Sequence, residues 1–132
     1  MKQMKPKLKK LSEQTIVITG ASSGIGLETA RQAVFAGANV VLASRNLDEL
    51  RSICAELNAQ GPGRAIAVRC DVKNADDVQA LASQAISEFG TIDTWVNNAG
   101  QGMYGRIDEV SEEDNRRLFD INFWGVVNGS II

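Results

Sequence analysis

From Thr15 to Gly26 the chain reads Thr-Ile-Val-Ile-Thr-Gly-Ala-Ser-Ser-Gly-Ile-Gly, and the chemistry such a stretch can do is to hold an anion. Ile16-Val17-Ile18 has the length and β-branched composition of a buried strand. Gly20, Gly24 and Gly26 break it into a turn that contains Ser22, Ser23 and Ile25, and a helix is expected over residues 27–37. Glycine lets a backbone turn tightly and come close to a phosphate, while a helix start directs free N–H groups and a positive dipole end at it. Glycine clusters also occur in plain turns, so the flanking strand and helix are what argue for a cradle. The spacing is not the Gly-x-Gly-x-x-Gly of the dinucleotide fingerprint. It also lacks the Gly-Lys-Ser/Thr ending of a nucleoside-triphosphate loop.

Three other places could carry chemistry. Arg45 stands just after a second apolar run, Val40-Val41-Leu42-Ala43, about where a dinucleotide-binding unit chooses its cofactor. An acid there would take a free ribose 2′-hydroxyl, whereas an arginine accommodates a 2′-phosphate. A charge-assisted hydrogen bond contributes roughly 1.5–3 kcal/mol, so NADP would be favoured about ten- to a hundredfold over NAD. The plainer alternative is a surface arginine flanking a helix start. Asp71, with Val72, closes a third strand and is either a ligand acceptor or a turn former. At the end of a fourth strand, Asn97-Asn98-Ala99-Gly100 places two amides and two small residues where a flat ring could approach. Asn122 lies on the inward stripe of the last helix, where an amide needs partners; it is a satisfied structural group or a site residue.

The elements that must position these residues alternate. The second strand leads to Asn46 and Glu49, a capping-box pair, and a helix to about residue 60. Gly61-Pro62-Gly63 turns into a third strand over residues 65–69. Asn74 and Asp77 are expected to cap the next helix, with Val78, Leu81, Ala82, Ala85 and Phe89 facing inward. A fourth strand follows over residues 92–96. Ser111 and Asp114 then open a last helix that runs to residue 132, with Leu118, Ile121, Gly125, Val126 and Gly129 inward and Phe123, Trp124, Val127 and Ile131 outward. Strand and helix in strict alternation mean a parallel sheet covered on both faces, with ligands beyond the carboxyl ends of its strands. The outer apolar side of the last helix calls for a covering subunit or further chain.

Composition narrows the class. At 132 residues, 44% hydrophobic and 23% charged, the chain suits one α/β domain over residues 15–132. Residues 1–14 are expected to form a flexible basic tail, since Lys2, Lys5, Lys7, Lys9 and Lys10 supply five of the 14 basic residues. Beyond the first ten residues the chain carries nine basic against sixteen acidic residues, a poor surface for nucleic acid. No apolar run has membrane-crossing length, and the basic start lacks a signal peptide's apolar core. Cys54 and Cys70 form no Cys-x-x-Cys pair and read as reduced thiols of a cytoplasmic protein. Histidine is absent, which excludes His-dependent triads and argues against a zinc site.

Taken together, Thr19-Gly20-Ala21-Ser22-Ser23-Gly24-Ile25-Gly26, Asp71-Val72, Asn97-Asn98-Ala99-Gly100 and Ile-Asn-Phe-Trp-Gly around Asn122 resemble the short-chain dehydrogenase/reductase family in order and spacing. The resemblance implies a doubly wound, Rossmann-like parallel sheet with strand order 3-2-1-4 for the part present. It implies that Ser22, Ser23 and Ile25 line the phosphate and ribose pocket, that Asp71 and Val72 hold the adenine, and that Asn98, Ala99 and Gly100 wall the cofactor. Asn122 matches the family's asparagine that orders a water in a proton relay. The implied activity is NADP-dependent hydride transfer on a small carbonyl or alcohol, by a homo-oligomer. The family's catalytic Tyr-x-x-x-Lys is missing: Tyr104, the one tyrosine, is followed four residues on by Asp108. Members are roughly twice this length, so the chain is expected to be an N-terminal half that binds cofactor at most. A non-catalytic nucleotide-sensing module is the competing expectation.

Overall fold

The computed structural model describes residues 7–132; Lys2 and Lys5 of the basic run lie outside the described residues. Strands β1 (Thr15–Thr19), β2 (Asn39–Ser44), β3 (Arg64–Arg69) and β4 (Thr94–Val96) form one parallel sheet in the order β3-β2-β1-β4. The registers run Ile16 beside Val40 and Thr94, and Val40 beside Ala65. Successive strands are added to one side of β1 and then, with β4, to the other, so the crevice beyond the ends of β1 and β4 is the switch point where such sheets take ligands.

Helices α1 (Gly24–Phe35) and α2 (Leu47–Gln60) cover one face, and α3 (Ala75–Phe89) covers the other together with the last helical stretch. Alternate strand residues feed the two cores. Ile16, Ile18, Val40 and Leu42 pack with Val34, Leu50 and Leu57, while Val17, Val41 and Val68 pack with Val78, Leu81 and Ile121. A strand residue meets a helix whichever way it points, which is why the strands read as unbroken apolar runs. Each fully buried leucine contributes about 1.5–3 kcal/mol.

Helix starts follow the expected caps with two changes: Asn46 and Glu49 form only the Asn46 half of a capping box, and Asp77 is engaged elsewhere. Asn46 Oδ1 accepts from Glu49 N–H at 3.2 Å, Asn74 Oδ1 from Asp76 N–H at 3.0 Å, and Ser111 Oγ from Asp114 N–H at 3.1 Å. Asp77, expected to help cap α3, instead accepts the Asp71 N–H at 3.0 Å and ties the end of β3 to that helix. α1 begins at Gly24, because the last turn of the glycine loop is already helical. β4 begins at Thr94: Asp93, just before it, is spent accepting the Thr15 N–H at 2.8 Å and an ion pair from Lys9 at 2.5 Å.

That ion pair belongs to a set of contacts the charge pattern did not foretell. Leu11–Glu13 form a 3-10 turn. Gln14 accepts from Thr94 Oγ1 through its side chain at 2.8 Å and from Asn39 N–H through its carbonyl at 3.0 Å. Residues 9–14 are therefore pinned across the amino ends of three strands.

The last helix differs most from expectation. Instead of one run it comprises α4 (Glu112–Phe119), a π-helical turn (Asp120–Trp124) and α5 (Gly125–Ser130), with Gly125 N–H donating to Asp120 O. A π-turn inserts one residue and rotates everything after it. Ile121, Gly125 and Gly129 face the sheet as expected, but Val126 is turned outward and Val127 is half-buried, the reverse of the regular-helix reading. A Cβ at Gly125 would lie 2.7 Å from Val72, and one at Gly129 would lie 2.1 Å from Asn97 Oδ1, so both are small because the helix lies so close. Phe123 and Trp124 remain exposed, their rings edge to face at 5.3 Å.

Candidate functional site

The turns at the carboxyl ends of all four strands meet around a cleft of about 410 Å³, a size usual for small-molecule sites. Of the thirteen residues the sequence marks, Gly20, Ser22, Ser23, Arg45, Asp71, Val72, Asn98, Ala99 and Gly100 line it. Gly24, Ile25, Gly26 and Asn122 do not.

Gly24 and Gly26 do different jobs. Gly24 has φ +56°, which disfavours any side chain, and a Cβ there would meet nothing within 4 Å. At Gly26 a Cβ would lie 2.5 Å from both Asn98 Nδ2 and Gly20 O, so this glycine lets α1 pack against the β4 turn. Ile25 falls outside the cleft, 80% exposed on the other side of the turn beside Leu11 and Ile16, where the resemblance had placed it in the ribose pocket.

The start of α1 is the anion-seeking end of the cleft. Helices α2, α3 and α4 each carry a side-chain cap and acidic residues in the first turn. α1 has neither: Ser23 stands at the cap position with no side-chain cap bond, and the first turn holds no acid. Leu27 N–H donates to Ser23 O at 3.2 Å, leaving the amides before it without helical acceptors and the dipole uncompensated. The Ser22 and Ser23 side chains stand beside them in the cleft lining.

Thr19, the last residue of β1 and the first of the glycine motif, organises the opposite wall. It is 2% exposed; its Oγ1 accepts from the N–H groups of Asn98 and Ala99, both at 3.1 Å, and donates to Val96 O at 3.3 Å. Asn98 reciprocates, its Nδ2 donating to Thr19 O and Gly20 O at 3.1 Å. Asn98 thus lines the cleft with its amide hydrogens already engaged. Asn97 faces away, accepting from Trp95 Nε1 at 2.9 Å and donating to Ser130 Oγ at 3.2 Å.

Asp71 both closes a turn and lines the cleft. Its Oδ1 accepts from Lys73 N–H at 3.3 Å, a turn contact, and its carboxylate lies 3.8 Å from Lys73 Nζ while lining the cleft. Asn128 Nδ2 donates to Val72 O at 2.9 Å and fixes that neighbour from α5. Arg45 is exposed at the cleft mouth and forms no ion pair among the described residues. Asn122 sits in the π-turn, and both ends of its amide are used: Oδ1 accepts Gln101 N–H at 2.8 Å and Nδ2 donates to Gln101 O at 2.7 Å. Its side chain therefore clamps the loop that ends the cleft wall.

Ser44, Asn46, Glu49, Cys70, Gln101 and Ile121 also line the cleft and were not marked as site residues. Ser44 and Cys70 could have been found by position alone, since each ends or follows a strand on the ligand side. Burial and the nearby carboxylates of Asp77 and Asp71 push the Cys70 thiol up to about 12, and burial pushes Cys54 to about 11, so neither is a nucleophile. Among the described residues there is no group of three or more His, Cys, Asp or Glu side chains placed to hold a metal ion, and no helix is long and apolar enough to cross a membrane.

Comparison with known proteins agrees with this geometry. An uncharacterized oxidoreductase of Bacillus subtilis, YxnA, is 53% identical over 126 residues, covering 96% of this chain and 35% of its own length. An alcohol dehydrogenase from Thermococcus sibiricus, solved with 5-hydroxy-NADP, superposes with a TM-score of 0.84 at 34% identity, over 88% of this chain and 49% of that one. A short-chain dehydrogenase/reductase of Burkholderia phymatum, solved with NAD, superposes at 0.87 and 37% identity, over 92% and 43%. The chain thus spans no more than about half the length of these proteins. The family model for short chain dehydrogenase matches residues 14–131, and with it the parallel sheet, the glycine turn and the switch-point cleft find their common account: the chain belongs to the short-chain dehydrogenase/reductase family of oxidoreductases.

Proposed function

We propose that this chain supplies the dinucleotide-binding half of an NADP(H)-dependent oxidoreductase acting on a carbonyl/alcohol pair of a small molecule. The observation that carries the reading is the uncapped, acid-free start of α1 opening on the same cleft as Arg45. A nucleotide diphosphate fits there: Ser22 and Ser23 line the cleft beside the uncapped first amides of α1. Ser22, Ser23 and the first amides of α1 would hold the pyrophosphate; Arg45 would hold the 2′-phosphate; Asp71 and Val72 would flank the adenine; Asn98, Ala99 and Gly100 would wall the ring. The bound nicotinamide would supply or accept the hydride.

What these residues do is bind and orient. Asn122 holds Gln101 and thereby the wall, and by the family resemblance it would order the water of a proton relay. No Tyr-x-x-x-Lys occurs in this sequence, and a general acid contributes about 10²–10⁴-fold. The chain by itself is therefore read as a cofactor binder without turnover, working in the cytoplasm, in an oligomer when part of a longer protein, with no nucleic-acid or membrane partner. NADPH and NADH titrations of the wild-type chain and Arg45→Asp test the reading. Tighter NADPH binding by the wild type, lost or inverted in the variant, is expected. Equal wild-type affinities refute the NADP preference, and binding of neither refutes the cofactor assignment.

A further inference from the structure

We propose that Glu49 opposes Arg45 at the adenosine end of the cleft and lowers the preference for a 2′-phosphorylated nucleotide. The inference rests on the cofactor reading above and adds to it a second determinant of opposite sign. Glu49 lies in the first turn of α2 and lines the same cleft as Arg45, with the capping Asn46 between them in sequence. Its backbone is held in place by the Asn46 Oδ1 bond at 3.2 Å, so its position relative to the mouth is set by the cap.

The cleft's two carboxylates are not equivalent. Asp71 is occupied by the Lys73 amide and lies near the Lys73 ammonium. Asp48, next to Glu49 on α2, pairs with Arg51 at 3.7 Å and is not part of the lining. Glu49 forms no ion pair among the described residues, with Arg45 or any other group. A cation and an anion thus face one nucleotide end, neither neutralised by a protein partner.

Each suits a different ligand. A monophosphate ester carries between one and two negative charges near neutral pH, which the guanidinium attracts and the carboxylate repels. A free ribose 2′-hydroxyl is a hydrogen-bond donor, which a carboxylate accepts and a guanidinium cannot. The preference is accordingly a balance between the two side chains, and Arg45 alone overstates it.

The test compares adenosine 2′,5′-bisphosphate with AMP, and NADPH with NADH, on the wild type, Glu49→Gln and Arg45→Ala. The readout is the ratio of Kd values within each pair. Glu49→Gln is expected to move both ratios toward the 2′-phosphorylated member by roughly three- to tenfold, an exposed charge interaction acting on a multiply charged group. The shift should shrink in high salt. Glu49→Lys should move the ratios further in the same direction, and thermal melting confirms that each variant is folded. Ratios unchanged or lowered in both Glu49 variants, with Arg45→Ala still abolishing the preference, overturn this proposal and leave the cofactor reading standing. A folded wild type that takes up none of the four nucleotides overturns the cofactor reading, and this proposal with it.

Discussion

Replacing Thr19 by valine removes one hydroxyl and keeps the shape, which makes it the sharpest perturbation of the cleft's frame. Thr19 Oγ1 is the acceptor for two backbone amides, Asn98 and Ala99, and it is buried to 2% exposure. Valine leaves both amides without that acceptor. A buried donor left unpaired costs about 1–3 kcal/mol, so the pair should cost about 2–5 kcal/mol, less a small gain from no longer desolvating the hydroxyl. With a urea m-value of about 2 kcal/mol/M, the middle of the range for small domains, the unfolding midpoint should fall by roughly 1–2.5 M. Thr19→Ser keeps the acceptor and loses one methyl, so it should fall by much less. Urea denaturation followed by far-UV circular dichroism on the three proteins decides the matter. A Thr19→Val midpoint equal to that of wild type, or to that of Thr19→Ser, would refute the claim that this hydroxyl holds the turn after β4.

Gly24→Val puts a side chain at φ +56° in the turn that carries Ser22 and Ser23 into the cleft, and so strains that turn. It should cost about 1–2 kcal/mol of stability yet weaken NADPH binding more than tenfold, as read by melting and titration. Burial raises the pKa values of Cys54 and Cys70 from an ordinary 9.0 to about 11 and about 12, so folding favours the protonated thiols. Their contribution is complete below pH 9 and is lost as pH rises through the folded values; at pH 8 neither should react with a thiol reagent until urea unfolds the chain. Asp93 is held below its ordinary value of 3.8 by the Lys9 hydrogen bond first and the Thr15 amide second. Its contribution is therefore present above pH 3.8 and lost as pH falls through the lower folded value, and Asp93→Asn should flatten acid unfolding in that window.

How much of this could be read in advance depended on whether the physics was local. β-Branched runs bounded by glycine and asparagine gave three of the four strands nearly to the residue, and cap residues placed the starts of α2, α3 and α4, because both signals act over a few neighbours. The N-terminal anchoring was hidden because Lys9 and Asp93 are 84 residues apart and meet only once β1 and β4 pair. The π-turn was hidden because no pattern in Asp-Ile-Asn-Phe-Trp announces it; the clamp from Asn122 to Gln101 accompanies it and joins that helical turn to a loop from which hydropathy alone leaves it apart. Glu49 was visible as a cap partner, and the fold then put the same residue on the rim of the cleft.

The two borders of the sheet are unequally defended. β3 begins and ends with the exposed charges of Arg64 and Arg69, the first resting over the Phe89 ring at 5.5 Å. β4 offers three uncharged residues, Thr94, Trp95 and Val96, with a row of backbone groups on its outer side that pair with no strand among the described residues. Charge along a border discourages foreign strands, and a bare one invites them. When these molecules are concentrated, self-association should start along β4 and spare β3, and a lysine set into that short border would be the cheapest way to keep them apart.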